Sequence, residues 1–201
     1  RRQRQMCIRD RYIGGIAMVV KDIAIVGSGL VVSRKKAIHT KDIIKSYKQL
    51  NLRAINKNGY IEEQELEILN VKEIIDDYYL THEGDIIVRL TDPFTAIYIS
   101  KDMENIVISS NFCVIRCSEN YYPDFLSYYI NSDSARKSLL SNLQGSIMKN
   151  INMSAIGEME IPNIPLKKQH IIGNLFKAQT QKIIILNKIQ EILAEKRIII
   201  C

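Results

Sequence analysis

The chain has 201 residues, 46% hydrophobic and 25% charged, enough for one globular domain with a proper core or a domain with a helical appendage. No secretory h-region or membrane-length apolar run occurs in these 201 residues. The formal charge of +6 invites a nucleic-acid partner. Much of that excess sits at the start, where five arginines stand against Asp10 within Arg1–Arg11. This string, RRQRQMCIRDR, has no helical or strand periodicity and resembles a translated sequencing adapter. Residues 1–11 are expected to be a non-native leader and are set aside in reading the fold.

In chain order, Val20 to Val26 alternates weakly and breaks at Gly27-Ser28-Gly29, where glycine permits positive φ or close backbone approach. Leu30 to Val32 reads as a short apolar strand, followed by the basic loop Ser33 to Lys36. Thr40 to Gln49 reads as a helix capped by Thr40. Leu50 to Ile55 alternates as a strand does, and Asn56-Lys57-Asn58-Gly59 is a hairpin turn for which Asn-Gly favours the primed types. From Arg34 to Lys57 eight basic residues face only Asp42, whereas nine acids face only Lys72 from Glu62 to Asp85. The two runs read either as two solvated surfaces or as a basic and an acidic face of one domain.

Glu83-Gly84-Asp85 is a turn into a buried strand, Ile86 to Leu90, which Thr91-Asp92-Pro93 terminates. Thr95 to Ile99, Ile106 to Ile108 and Ser109 to Arg116 are further strands. Pro123 opens a helix with Phe125, Leu126, Tyr129 and Ile130 on one side, and Ser134 to Leu143 continues helically. Gln144-Gly145-Ser146 is a loop, and a short strand ends at Pro162. After Pro165 apolar residues recur at helical spacing to Ile200, a helix on the order of 45–50 Å long. A helix of that length is expected to find a partner helix rather than to lie wholly on its own domain.

Motifs for catalysis are missing. GSGLVVSRKK lacks the Gly-Lys-Ser/Thr ending of a phosphate loop, and no glycine fingerprint for a nucleotide cofactor follows a strand. There is no Asn/Asp-Pro-Pro-aromatic tetrad, no lysine placed after the acids as a metal nuclease needs, and no Ser/His/Asp set from His39, His82 and His170. Cys7, Cys113, Cys117 and Cys201 show no zinc spacing. Cys113 and Cys117 share a parity and point to one side of a strand. A reduced, cytoplasmic, non-catalytic protein without cofactor or metal is expected.

DNA recognition needs cations for phosphates and planar or bidentate groups for base edges. Three loops supply both. In the first, Arg34 can fork onto a guanine while Lys35 and Lys36 hold phosphates. The second runs from Arg89 through Thr91 to Thr95. In the third, Gly145 admits the backbone, and Gln144, Ser146, Lys149 and Asn150 can hydrogen-bond. Tyr121, Tyr122, Tyr128 and Tyr129 read as helix packing rather than base stacking.

The order of these features is similar to the repeating half of the specificity subunit of type I restriction–modification systems. The likeness runs from about Val20 to the C-terminus. It is carried by VKDIAIVGSG, by HEGDIIVRL with SSNFCVIR, by PDFLSYYINS, and most of all by QGSIMKNINMSAIGEMEIPNIPLKKQHIIGNLF, with its spacing of Gly145, Ser146, Pro162, Pro165 and Gln169. The resemblance implies an α/β (α+β) target-recognition domain with a mixed or antiparallel sheet over 12–164. It also implies a long amphipathic helix over 165–201 for dimerisation and subunit docking, through Ile172, Leu175, Ile183, Leu186, Ile189 and Leu193. It further implies double-stranded DNA as ligand, and a DNA methyltransferase (modification) subunit using S-adenosylmethionine on adenine as partner. A restriction subunit can join. Members of the family usually carry two recognition domains and two helices. One of each is read here, which leaves open a half subunit that pairs with a second copy or with another half, and a fragment. The other reading of the residues is a protein–protein adaptor acting through the helix.

Overall fold

A computed structural model describes residues 18–119, 121–141 and 151–200, with the backbone alone at 140–141 and 195–200. The chain opens with strand β1 (Met18–Val19), one helical turn α1 (Val20–Ile23) and strand β2 (Ala24–Ser28). Strands β3 (Lys45–Leu50), β4 (Ile55–Asn56), β5 (Tyr60–Ile61), β6 (Glu67–Val71), β7 (Ile86–Arg89), β8 (Ala96–Tyr98), β9 (Val107–Ile108) and β10 (Phe112–Cys117) follow. Helices α2 (Pro123–Ile130), α3 (Asp133–Ser141) and α4 (Met153–Gly157) lead to β11 (Glu160–Ile161) and the long helix α5 (Leu166–Ile200). This is the expected α/β (α+β) class.

The central sheet has the order β2-β10-β7-β8 and is antiparallel throughout. Its strands read as nearly continuous apolar runs because both faces are covered. Ile86, Val88, Cys113 and Ile115 point into a core shared with Phe125, Leu126 and Leu139 from α2 and α3. The alternate residues Ile87, Phe112 and Val114 point into a second core with Leu50, Ile55 and Ile61. The sheet β6-β3-β9 is mixed, since β3 runs antiparallel to β6 and parallel to β9. Cys113 and Cys117 do share a side of β10, and burial pushes both thiols up to about 12.

Several local expectations are revised. Thr40 to Gln49 is not a helix: a short 3₁₀ turn, Thr40–Asp42, precedes strand β3. Tyr47 and Leu50, three residues apart, imitate helical spacing because β3 lies between two cores. Tyr47 enters the cluster of Leu69, Val71 and Leu80, while Leu50 enters the second core on the opposite face. Leu50 to Ile55 is likewise no continuous strand. The Asn51 Oδ1 accepts from the N–H groups of Arg53 and Ala54 at 2.8 and 2.9 Å and turns the chain there. The β4–β5 hairpin has a three-residue loop, Lys57 to Gly59, instead of a two-residue primed turn, and Gly59 takes its positive φ of 83°. Val20 to Ile23 forms a helical turn before the strand, and Leu30 makes only an isolated bridge to Ser109. Gly29 is required there by proximity: a Cβ would lie 2.1 Å from the carbonyl oxygen of Ser109.

Helix α5 has 35 residues and is about 52 Å long. It neither projects freely nor lies wholly flat. Its first turns pack along α2, where the buried Gln169 bolts the two helices together. Gln169 Nε2 donates to the carbonyl oxygen of Ile164 at 2.8 Å, and its Oε1 accepts from the N–H of Tyr122 at 3.2 Å. Gly173 permits the close approach, since a Cβ there would sit 2.8 Å from the Cβ of Asp124 and 3.0 Å from the Phe125 nitrogen. Phe176 then meets Tyr128 edge to face, and Asn187 Nδ2 donates to the Tyr60 hydroxyl at 2.8 Å. Among the described residues no helix is long and apolar enough to cross a membrane.

Two outcomes follow. Gly173→Ala should lower folding stability by about 1–3 kcal/mol, read from the urea midpoint, because the added carbon meets backbone that cannot give way; an unchanged midpoint would refute the packing. Maleimide at neutral pH should leave Cys113 and Cys117 unmodified until the protein unfolds, since almost no thiolate exists. Labelling ahead of unfolding would contradict their burial.

Candidate nucleic-acid interface

The basic run becomes an exposed excursion pinned at both ends to β6. After Leu30 the chain makes a 3₁₀ turn, Val32–Arg34, and Lys36 bridges Val71. Ala37 N–H donates to Asn70 at 2.9 Å and Ile44 N–H to Val71 at 2.8 Å, so residues 37–43 stand off the end of the sheet. Ile38, 89% exposed, has no core to enter. Lys35 is partly buried and paired with Glu73 at 3.0 Å. Arg34, Lys36 and Lys41 are exposed and, among the described residues, make no salt bridge. The Lys45 ammonium lies 4.5 Å from the centroid of the Tyr47 ring. Unneutralised cations on a tethered loop are what a phosphate backbone requires.

The basic and acidic runs do not form opposite faces. Strands β3 and β6 lie side by side and antiparallel, so the runs interleave through Lys48–Glu63 at 3.6 Å, Arg53–Glu67 at 3.1 Å and Lys35–Glu73. These pairs are largely solvated and contribute little to stability. The last acid of the run, Asp85, is buried and serves the core. It accepts from Arg116 Nε and a terminal nitrogen at 3.0 and 3.1 Å, and Arg116 also donates to the carbonyls of Tyr78 and Leu80.

Arg89 is occupied internally. Its Nε donates to Thr91 Oγ1 at 3.1 Å, and its terminal nitrogens donate to the carbonyls of Leu52 and Asp92 at 3.3 and 3.1 Å. Arg89 therefore holds the loop after β7 against the turn after β3, and Thr91 is one of its acceptors. Gln144, Gly145, Ser146, Lys149 and Asn150 lie outside the described residues. The chain resumes at Ile151, whose N–H donates to Leu90 at 2.9 Å, beside the Arg89 loop. Ile151 thus lies beside the second loop, and the first loop does not join it there. Arg89 reaches Leu52, just past one end of β3, whereas Lys36 bridges Val71, which pairs with Lys45 at the other end. The separation along β3 is about 17 Å, half a turn of duplex. Lys41 and Lys45 belong to the basic run but are not singled out by sequence; that neither makes a salt bridge among the described residues is visible only in the structure.

A cavity of about 440 Å³ lies between the β4–β5 hairpin and α5. It mixes Glu83, Asp102 and Asp124 with Lys101 and Lys177, so it gathers no positive charge for phosphates. On α5 itself, Ile172 packs against the domain's own core, and Ile183 is also partly covered. Leu175, Leu186, Ile189 and Leu193 are exposed on the remainder of the helix.

The model for the type I restriction modification DNA specificity domain matches residues 21–195. The chain belongs to that family. A solved chain concerned with complex assembly and conformational transition of the type I R-M system aligns with a TM-score of 0.64 and 15% identity, over 90% of this chain and 46% of that one. The HsdS subunit from Thermoanaerobacter tengcongensis gives 0.63 and 16% over the same shares. The type I S subunit from M. genitalium gives 0.54 and 17%, over 88% of this chain and 42% of that one. This specificity domain thus has the fold of those subunits and spans about half their length. No curated protein sequence matches it.

Arg89 and the loop cations should separate by stability. Arg89→Ala should cost about 1.5–3 kcal/mol, since charged hydrogen bonds are lost and the partly buried Leu52 carbonyl is left unpaired. Arg34→Ala and Lys36→Ala should stay within about 0.5 kcal/mol of the parent. Equal effects in urea melts would contradict these roles.

Proposed function

We propose that this specificity domain recognises double-stranded DNA, with the excursion from Arg34 to Lys45 gripping phosphates and the region around Leu90 to Thr95, continued by Gln144 to Asn150, reading base edges. Residues 12–164 form the recognition unit, and helix 165–201 serves pairing and docking. The observation that carries the reading is the family match over 21–195, joined to the unpaired Arg34, Lys36 and Lys41 on one tethered loop. Arg89 acts by positioning the second loop rather than by forking onto a base. The partner is a DNA methyltransferase (modification) subunit that methylates adenine with S-adenosylmethionine, and a restriction subunit can join. The chain itself is non-catalytic, holds no cofactor, and works in the cytoplasm with the DNA. The long helix meets a second half, either another copy or a different half subunit.

Selection from random duplexes, with the chain alone and with its modification subunit, tests this directly. The parent should enrich one motif. The triple variant Arg34→Glu, Lys36→Glu, Lys41→Glu should fold normally but lose affinity, and its slope of log K against log salt should flatten by about 3. A parent that enriches nothing, or a triple variant with an unchanged salt slope, would overturn the proposal.

A further inference from the structure

Ile38 is the most exposed large apolar side chain among the described residues, at 89%. Its backbone, by contrast, is held. The N–H of the preceding Ala37 donates to the Asn70 carbonyl at 2.9 Å. The following His39 opens the 3₁₀ turn Thr40–Asp42, in which the Asp42 and Ile43 N–H groups donate to His39 and Thr40 at 3.0 and 3.3 Å. The side chain is therefore displayed from a folded tip. A branched aliphatic group has no polar atom for a phosphate or the hydrogen-bonding edge of a base. It gains free energy only by leaving water against an apolar surface.

The residues around it carry charge. Arg34 and Lys36 precede it and Lys41 follows, all exposed and without a salt bridge among the described residues; Asp42 is the one acid between Arg34 and Lys45. Cations on both flanks of an apolar tip match the chemistry of the minor groove. There the cations meet the two phosphate walls, and an isoleucine or leucine can wedge between base pairs. The position agrees. The Arg89 loop and the excursion lie about 17 Å apart along β3, half a turn of duplex. On one side of B-DNA, half a turn separates a major groove from the adjacent minor groove. With the Arg89 side of the domain over the major groove, the excursion reaches the next minor groove.

Resting on the DNA-binding reading above, we infer that Ile38 is a minor-groove wedge. It enters a base step about five base pairs from the motif read in the major groove and partly unstacks it. Arg34, Lys36 and Lys41 hold the phosphates on either side. The guanine 2-amino group stands in the floor of the minor groove, so such a tip favours A·T-rich flanks. Sequence preference then extends to base pairs that no polar side chain reads.

Binding of the full chain, alone and with its modification subunit, to its selected duplex tests this. Ile38→Ala should weaken binding about tenfold. The slope of log K against log salt should not change, because no charge is removed. The parent should make a flanking thymine hyperreactive to permanganate, which attacks unstacked pyrimidines, and Ile38→Ala should not. Replacing flanking G·C pairs by inosine·C removes only the minor-groove amino group and should tighten binding of the parent roughly threefold. Replacing flanking thymine by uracil removes only the major-groove methyl and should have no effect. Equal binding by Ile38→Ala, no hyperreactive thymine, or a parent that responds to uracil and not to inosine would each overturn the inference while leaving DNA recognition intact. A parent that binds no duplex would overturn both.

Discussion

The docking of α5 on α2 is the constraint from which the other features follow. Gln169 satisfies an N–H of one helix and a carbonyl of the preceding turn at once, and it does so buried, where an unmade hydrogen bond would be costly. Gly173 removes the one side chain that would hold the helices apart. With the axis fixed there, Phe176 and Asn187 are carried onto Tyr128 and Tyr60. The same rotation leaves Ile171, Leu175, Ile185 and Ile189 in solvent. Because one face is committed to the domain, the opposite face is available in a fixed direction, as the proposed pairing with a second half requires.

The domain end obeys a complementary logic. Strands β7 and β10 at the centre of the sheet are buried on both faces and supply rigidity. Polar function is displaced to the loops that leave it. Arg89 spends its guanidinium on Thr91, Leu52 and Asp92 and so stiffens one loop, while residues 37–43 are tethered to β6 at both ends and carry Lys41 without a salt bridge among the described residues. Asn131 plays a similar supporting part at the edge strand β8, where its side-chain amide pairs with both the N–H and the carbonyl of Ala96, at 3.0 and 2.7 Å. That contact gives the PDFLSYYINS pattern a physical meaning: the helix ends in a residue that closes a sheet edge.

Much of this was legible in the residues. The apolar runs of β7 and β10, Pro123 at the start of α2 and the stretch of α5 without proline and with Gly173 as its one glycine each follow from local rules, and the structure places those elements within about three residues of the expected spans. The misreadings share one cause. Tyr47 and Leu50 look helical only if one core is assumed, and nothing local reveals that β3 serves two. The charge runs looked like separate faces because the antiparallel pairing of β3 with β6 is a long-range contact. Arg89 looked available because its acceptor at Leu52 lies far along the chain. The pairing side of α5 was blurred for a related reason: Ile172 and Leu175 are both apolar, and only the position of α2 decides which of them faces inward.

The central claim is that one specificity domain presents two separate working surfaces, a cationic loop for the duplex and a free helix face for another helix. Hydrogen exchange of the full chain with and without a selected duplex tests it most directly. Slowed exchange should appear in residues 34–48 and 89–95 and leave the segment from Ile185 to Leu193 unchanged. Slowing confined to α5, with the basic loop unaffected, would contradict the account.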